Sequence, residues 1–135
     1  MKEITEDYCD FETAKLLKAK GFNEKCLRTY FHDGKMSRIF DDNDEIYNEN
    51  LLPSVVAAPT LQMAMKWLRE VHNFNIIAFP AWDNYDGTKM SFEKWGESID
   101  GLDGEYYMSI SGHVYYNSYE DACEAAIKYV LENLI

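Results

Sequence analysis

The chain reads as an α+β protein: a single domain over 1–135, with an antiparallel sheet and about three helices packed mainly on one of its faces. Three observations predict this. Three stretches carry apolar residues at spacings of three and four, as helices do. The runs between them are short, strand-like and broken by Asp-Gly and Ser-Gly pairs. The strands also follow one another directly, without the strand–helix alternation of a parallel sheet. At 135 residues the chain is long enough to bury roughly two-thirds of its unfolded surface. Its hydrophobic content of 47% supplies one core.

Asp10 is placed to cap a helix from Phe11 to about Lys20, accepting an orphan amide hydrogen bond. Phe11, Ala14 and Leu17 share a face. Gly21 fits the left-handed residue that ends such a helix, and Phe22 beyond it folds back on the last turn. The runs 26–31 and 35–40 flank His32-Asp33-Gly34, a hairpin signal. Residues 41–57 read as a loop and the most mobile segment, packed down in part by Leu51, Leu52, Val55 and Val56.

The central stretch runs from Pro59 to Ile77. Thr60 is the expected N-cap, with Pro59 at the first helical position as the alternative. Leu61, Ala64, Met65, Leu68, Val71 and His72 fall on one helical face, Trp67 on its flank, and Lys66, Arg69 and Glu70 on the other side. A strand over 75–79 follows and ends at Pro80 or runs along an edge, because proline donates no ladder hydrogen bond. Asp83–Gly87 reads as a turn, 89–95 as a strand, and Gly96–Gly104 as a loop. Strands over 105–110 and 113–116 meet at Ser111-Gly112. Ser118 then caps a last helix whose stripe is Tyr119, Ala122, Cys123, Ala126, Ile127, Val130 and Leu134.

Charge narrows the function classes. The net charge is −11, and from Asp83 onward eleven acids face three lysines. That field disfavours phosphate backbones and anionic lipid, so neither direct nucleic-acid binding nor membrane binding is expected. Acidic mimicry of DNA, occupying a host nucleic-acid-binding protein, is the alternative such a bias allows. Cys9, Cys26 and Cys123 are far apart, with no Cys-x-x-Cys pair and no nearby histidine. Disulfides and zinc are therefore not expected, and a reducing cytoplasm is the natural setting. The first residues are too acidic for a signal peptide, and apolar runs are too short for a membrane span.

Chemistry has little to stand on. Asp41, Asn43 and Glu45 alternate like calcium-loop ligands, but Ile46 stands where the glycine belongs and Leu52 where the bidentate glutamate belongs. His72 has no second ligand at helical spacing and reads as a helix-end histidine, His113 has no nucleophile to serve, and neither a phosphate-binding glycine loop nor a Gly-x-Ser-x-Gly elbow is present. No catalytic residue, cofactor or metal site is assigned. A small-ligand pocket or enzyme site under the 41–57 loop stays as a further alternative. The group Trp82, Tyr85, Phe92, Trp95, Tyr106 and Tyr107 is the main constellation. A sheet covered on one face leaves the other for solvent or a partner. Trp82, Tyr85, Trp95, Tyr106 and Tyr107 are thus the candidate partner-binding residues, with packing at the core edge as their other reading.

Three segments carry a resemblance: Phe11–Phe22 (FETAKLLKAKGF), Ala58–His72 (APTLQMAMKWLREVH) and Ser118–Tyr129 (SYEDACEAAIKY). With their spacing, the chain resembles a family of small uncharacterised proteins encoded by phages and prophages of gut Bacteroidales. The resemblance implies a mobile-element setting and carries over no activity or site residue. The expectation is a non-enzymatic accessory protein that binds another protein, a homodimer being one form of this.

Overall fold

The computed structural model describes residues 3–82, 90–102, 106–107 and 115–135, and of 81, 82, 90–93, 106 and 107 the backbone alone. The architecture is α+β, with three α-helices and two small antiparallel sheets among the described residues. The chain folds as two compact units, Met1–Ala64 and Met65–Ile135. No helix among the described residues is long and apolar enough to cross a membrane.

In the first unit, α1 (Phe11–Ala19) begins where the Asp10 carboxylate accepts the Thr13 N–H at 2.8 Å. It ends at Gly21, whose φ of +93° is the left-handed conformation a side chain would strain. Phe22 N–H then donates back to Leu17 O at 2.9 Å, and the Phe22 ring is buried. The His32-Asp33-Gly34 turn forms as expected, but only Gly34 takes positive φ, at +83°. Gly34 N–H closes the turn on Phe31 O, and Phe31 N–H reaches Lys35 O, as in a three-residue hairpin loop.

The hairpin supplies β1 (Thr29–Tyr30), which lies between two neighbours. The arm after the turn pairs on one side, through Ser37 N–H to Thr29 O and the Tyr30–Met36 bridge. On the other side lies β2 (Val56–Ala57), in the register Thr29 to Ala57 and Tyr30 to Val56. The stretch 41–57 thus ends in a strand, and long-range bonds hold it. Asn48 Nδ2 donates to Phe22 O at 2.8 Å, and its Oδ1 accepts Ala57 N–H at 2.9 Å. Lys18 Nζ donates to Leu52 O and Val55 O. Ala14, Tyr30, Val56 and Ala58 form a core cluster of this unit, with Phe11 and Met36 against it.

The first turn of α2 (Leu61–His72) belongs to the first unit and the rest to the second. Thr60 Oγ1 accepts the Met63 N–H, so Thr60 is the cap. Leu61, Ala64, Met65 and Leu68 are buried as the spacing requires. Two positions differ. Trp67 is buried rather than flanking, with its ring edge-on to His72 at 4.7 Å, and Val71 in the last turn is exposed. Asn73 ends the helix with φ +63°, a conformation asparagine tolerates.

The second unit is built on β3 (Phe74–Trp82), β4 (Met90–Gly101) and β5 (Tyr106–Tyr107), in the order β3-β4-β5, all antiparallel. Both long strands pass the stops read from sequence. Gly96 does not open a loop; it lies within β4 opposite Phe79, whose ring lies where a Gly96 Cβ would fall, 2.8 Å from the nearest ring carbon. A glycine inside a strand marks such a close approach. Pro80 is tolerated for a directional reason. Its partner Trp95 commits both N–H and C=O to Tyr116, each at 2.8 Å, so neither points toward β3. Pro80 is therefore a non-hydrogen-bonded partner, and its missing N–H faces away from β4. Finally α3 (Tyr119–Tyr129), capped by Ser118 Oγ on Asp121 N–H, packs on β3 and β4. It buries Ala122, Cys123, Ala126 and Ile127, and Val130 and Leu131 extend the stripe into a closing π-turn.

Candidate functional site

Alternation along the β3–β4 ribbon assigns its two faces. Trp95, Glu97 and Ile99 share one face with their partners Pro80, Ala78 and Ile76. This is the face under α3: Ile99 and Glu97 are fully buried, and the Trp95 ring meets Tyr119 edge-on at 5.5 Å. The other face carries Asn75, Ile77 and Phe79 from β3, opposite Asp100, Ser98 and Gly96. There Ile77 is 43% and Phe79 38% exposed. Phe79 leans over Gly96, so the face presents two adjoining apolar side chains beside Ser98 and Asn75.

Of the aromatic residues singled out by sequence, Trp95 is half-buried on the α3 side of the ribbon. Trp82 pairs with Met90 at the far end of β3–β4, and Tyr106 and Tyr107 form β5 against Asp100 and Ile99. The side chains of Trp82, Tyr106 and Tyr107, and all of Tyr85 and His113, lie outside the described residues. So do the Asp83–Gly87 turn and the Ser111-Gly112 connection. Ile77 and Phe79 were not among the sequence candidates; period-two alternation over 75–79 is the signal that marks them as neighbours.

Several chemistry-bearing groups elsewhere are engaged in structure. In the Asp41 run, the Asp44 carboxylate accepts Asp41 N–H and so caps its own turn. Among the described residues, no three His, Cys, Asp or Glu side chains are grouped to hold a metal ion. The three thiols are free and buried. Burial pushes the Cys26 thiol up to about 12, helped by Glu24, and such a thiol is a poor nucleophile. A cavity of about 170 Å³ in the first unit is lined by Tyr8, Cys26, Leu27, Ala58, Thr60 and Met63, mostly apolar. A shallow depression beside the 41–57 segment includes Lys18 and Asn48, whose polar atoms hold backbone carbonyls and amides. Glu97, one of the eleven C-terminal acids, is fully buried and so adds nothing to a phosphate-like surface.

Comparison with family models, with characterised proteins and with solved structures finds no match to this chain.

Proposed function

We propose that this is a non-enzymatic, cytoplasmic accessory protein of a phage or other mobile element that works by binding another protein through the outer face of the β3–β4 ribbon. The exposed Ile77–Phe79 pair carries the reading. Large apolar side chains set side by side and exposed on a sheet face are the usual material of a protein contact, and here half-buried Asn75 and Ser98 border them. The acidity of the chain supports a protein partner over nucleic acid. The mobile-element setting rests on the resemblance of the three helical segments.

A photo-crosslinking amino acid at Ser98, directly across from Ile77, tests it in the cell of origin. Protein should be captured from Ser98, and not from a control position at Glu120 on the exposed side of α3. If Ser98 captures neither a second copy nor any other protein, the reading is wrong.

A further inference from the structure

We infer that a second copy of the same chain joins antiparallel along the edge of β3 that borders this face, about a two-fold axis at Ile77, so that the exposed side chains of the two copies meet across the seam. The inference rests on the reading of this face as a protein-contact surface.

The direction of the β3 backbone leads to it. Because Pro80 points its backbone groups away from β4, alternation makes Ala78 and Ile76 do the same, with no register shift between Phe74 and Pro80. The ladder agrees at its far end, where Asn73 O, of the opposite parity, accepts Leu102 N–H at 2.7 Å. Among the described residues nothing hydrogen-bonds the outward groups of Ile76 and Ala78. Their side chains behave as on a sheet edge: both are half-buried, while Ile99 and Glu97 beside them on β4 are fully buried. A row of such groups accepts one kind of occupant, an extended strand.

The same edge answers which strand. β3 is nine residues long and carries no charge, in a chain of net charge −11. Two copies of that net charge repel each other, and a neutral strand is where they can meet at least cost. Edge strands are commonly protected by lysine, and β3 has none. With the two-fold axis at Ile77, Ile76 of one copy pairs with Ala78 of the other and the reverse, using every outward group of these residues. On the exposed face Ile77 then lies against Ile77 of the other copy, and each Phe79 sits diagonal to that contact. The four exposed apolar side chains become one strip. Pro80 falls opposite Phe74 at the end of the paired stretch, so its missing N–H costs only the terminal bond to Phe74 O and leaves the Ile76–Ala78 bonds whole.

Sedimentation velocity and light scattering across micromolar concentrations test this on the full chain. The wild type should dimerise. Ala78→Pro removes an outward N–H and leaves the β3–β4 ladder intact; Ile77→Lys puts a charge on the axis. Each should weaken dimerisation by at least about tenfold. Amide exchange at Ile76 and Ala78 should slow with protein concentration in the wild type, a readout that stands even if Ala78→Pro fails to fold. A wild type that stays monomeric overturns the proposal. So does a dimer that neither variant weakens while circular dichroism shows both folded. If the chain is monomeric yet the Ser98 crosslinker captures a different protein, the protein-binding reading stands and the second copy is excluded.

Discussion

Replacing Asn48 with alanine isolates what holds the 41–57 segment. The side chain is buried and ties the end of α1 to β2: Nδ2 donates to Phe22 O at 2.8 Å, and Oδ1 accepts from Ala57 N at 2.9 Å. Phe22 and Ala57 are each 1% exposed, so truncation strands one carbonyl and one amide where water reaches poorly. An unsatisfied buried group costs about 1–3 kcal/mol, so Asn48→Ala should lose about 3 kcal/mol of stability. In thermal unfolding that is a fall of roughly 10 °C in midpoint. Amide exchange should show the loss locally, with the Ala57 N–H losing protection first. Asn48→Asp separates the two bonds: it keeps an acceptor for Ala57 but sets a carboxylate against Phe22 O. It should be worse than alanine at neutral pH and partly recover in acid, where the protonated carboxyl donates as the amide did. A loss below about 1 kcal/mol with Ala57 protection unchanged would refute the reasoning, because two buried unsatisfied groups cannot be that cheap.

Other substitutions test separate steps. Gly21→Ala and Gly34→Ala both force alanine into left-handed backbone, at φ +93° and +83°, for about 1–2 kcal/mol each. Gly34→Ala should cost more, because its Cβ would meet Phe11 Cδ2 at 3.2 Å while Gly21 has open space; urea denaturation orders them. Gly96→Ala should lower the midpoint by lifting the Phe79 ring, and the penalty should vanish in a Phe79→Ala background. Burial first, then Glu24, lifts the Cys26 thiol to about 12. Cys123 rises to about 11 through burial first, with Glu120 and Glu124 adding and a Tyr119 hydrogen bond opposing. Both lie above the ordinary 9.0, so the fold favours the neutral thiols. That stability is complete below pH 9 and is lost as pH rises through 11 and 12. Denaturant midpoints should fall over that window, and less so when both cysteines are alanine.

Much of the helical frame is legible in sequence because its signals are local. Asp10, Thr60 and Ser118 each cap a helix through an N–H three residues on, and Gly21 needs only its own φ. What is not legible depends on distant partners. β2 exists because Ala57 and Val56 find β1, and nothing near them announces it. Gly96 reads as a loop residue until Phe79 is known to lie over it. The exposure of Ile77 and Phe79 is not legible for a similar reason. Alternation separates Asn75, Ile77 and Phe79 from Phe74, Ile76 and Ala78, but both sets are largely apolar, so sequence cannot say which one α3 covers. The concentration of tryptophan and tyrosine singles out Trp95, which the fold turns toward Tyr119.

Pro80 shows how one distant contact settles an ambiguous residue, and it yields a test by parity. From sequence it ends a strand or marks an edge. The pair of bonds between Trp95 and Tyr116 takes Trp95 out of the β3 ladder, and with β3 outermost in its sheet among the described residues Pro80 stands at an edge. Every second residue back from Pro80 then faces outward, and those between face β4. A proline at Ala78 should therefore fold, while Phe79→Pro, one position on, removes an inward N–H and should cost about 1–3 kcal/mol beyond the loss of the ring. Thermal midpoints of the two variants, with Phe79→Ala as the side-chain control, measure the difference. If the proline at Ala78 proves the more damaging, the outward direction of the β3 edge is wrong, and the edge pairing of two copies goes with it.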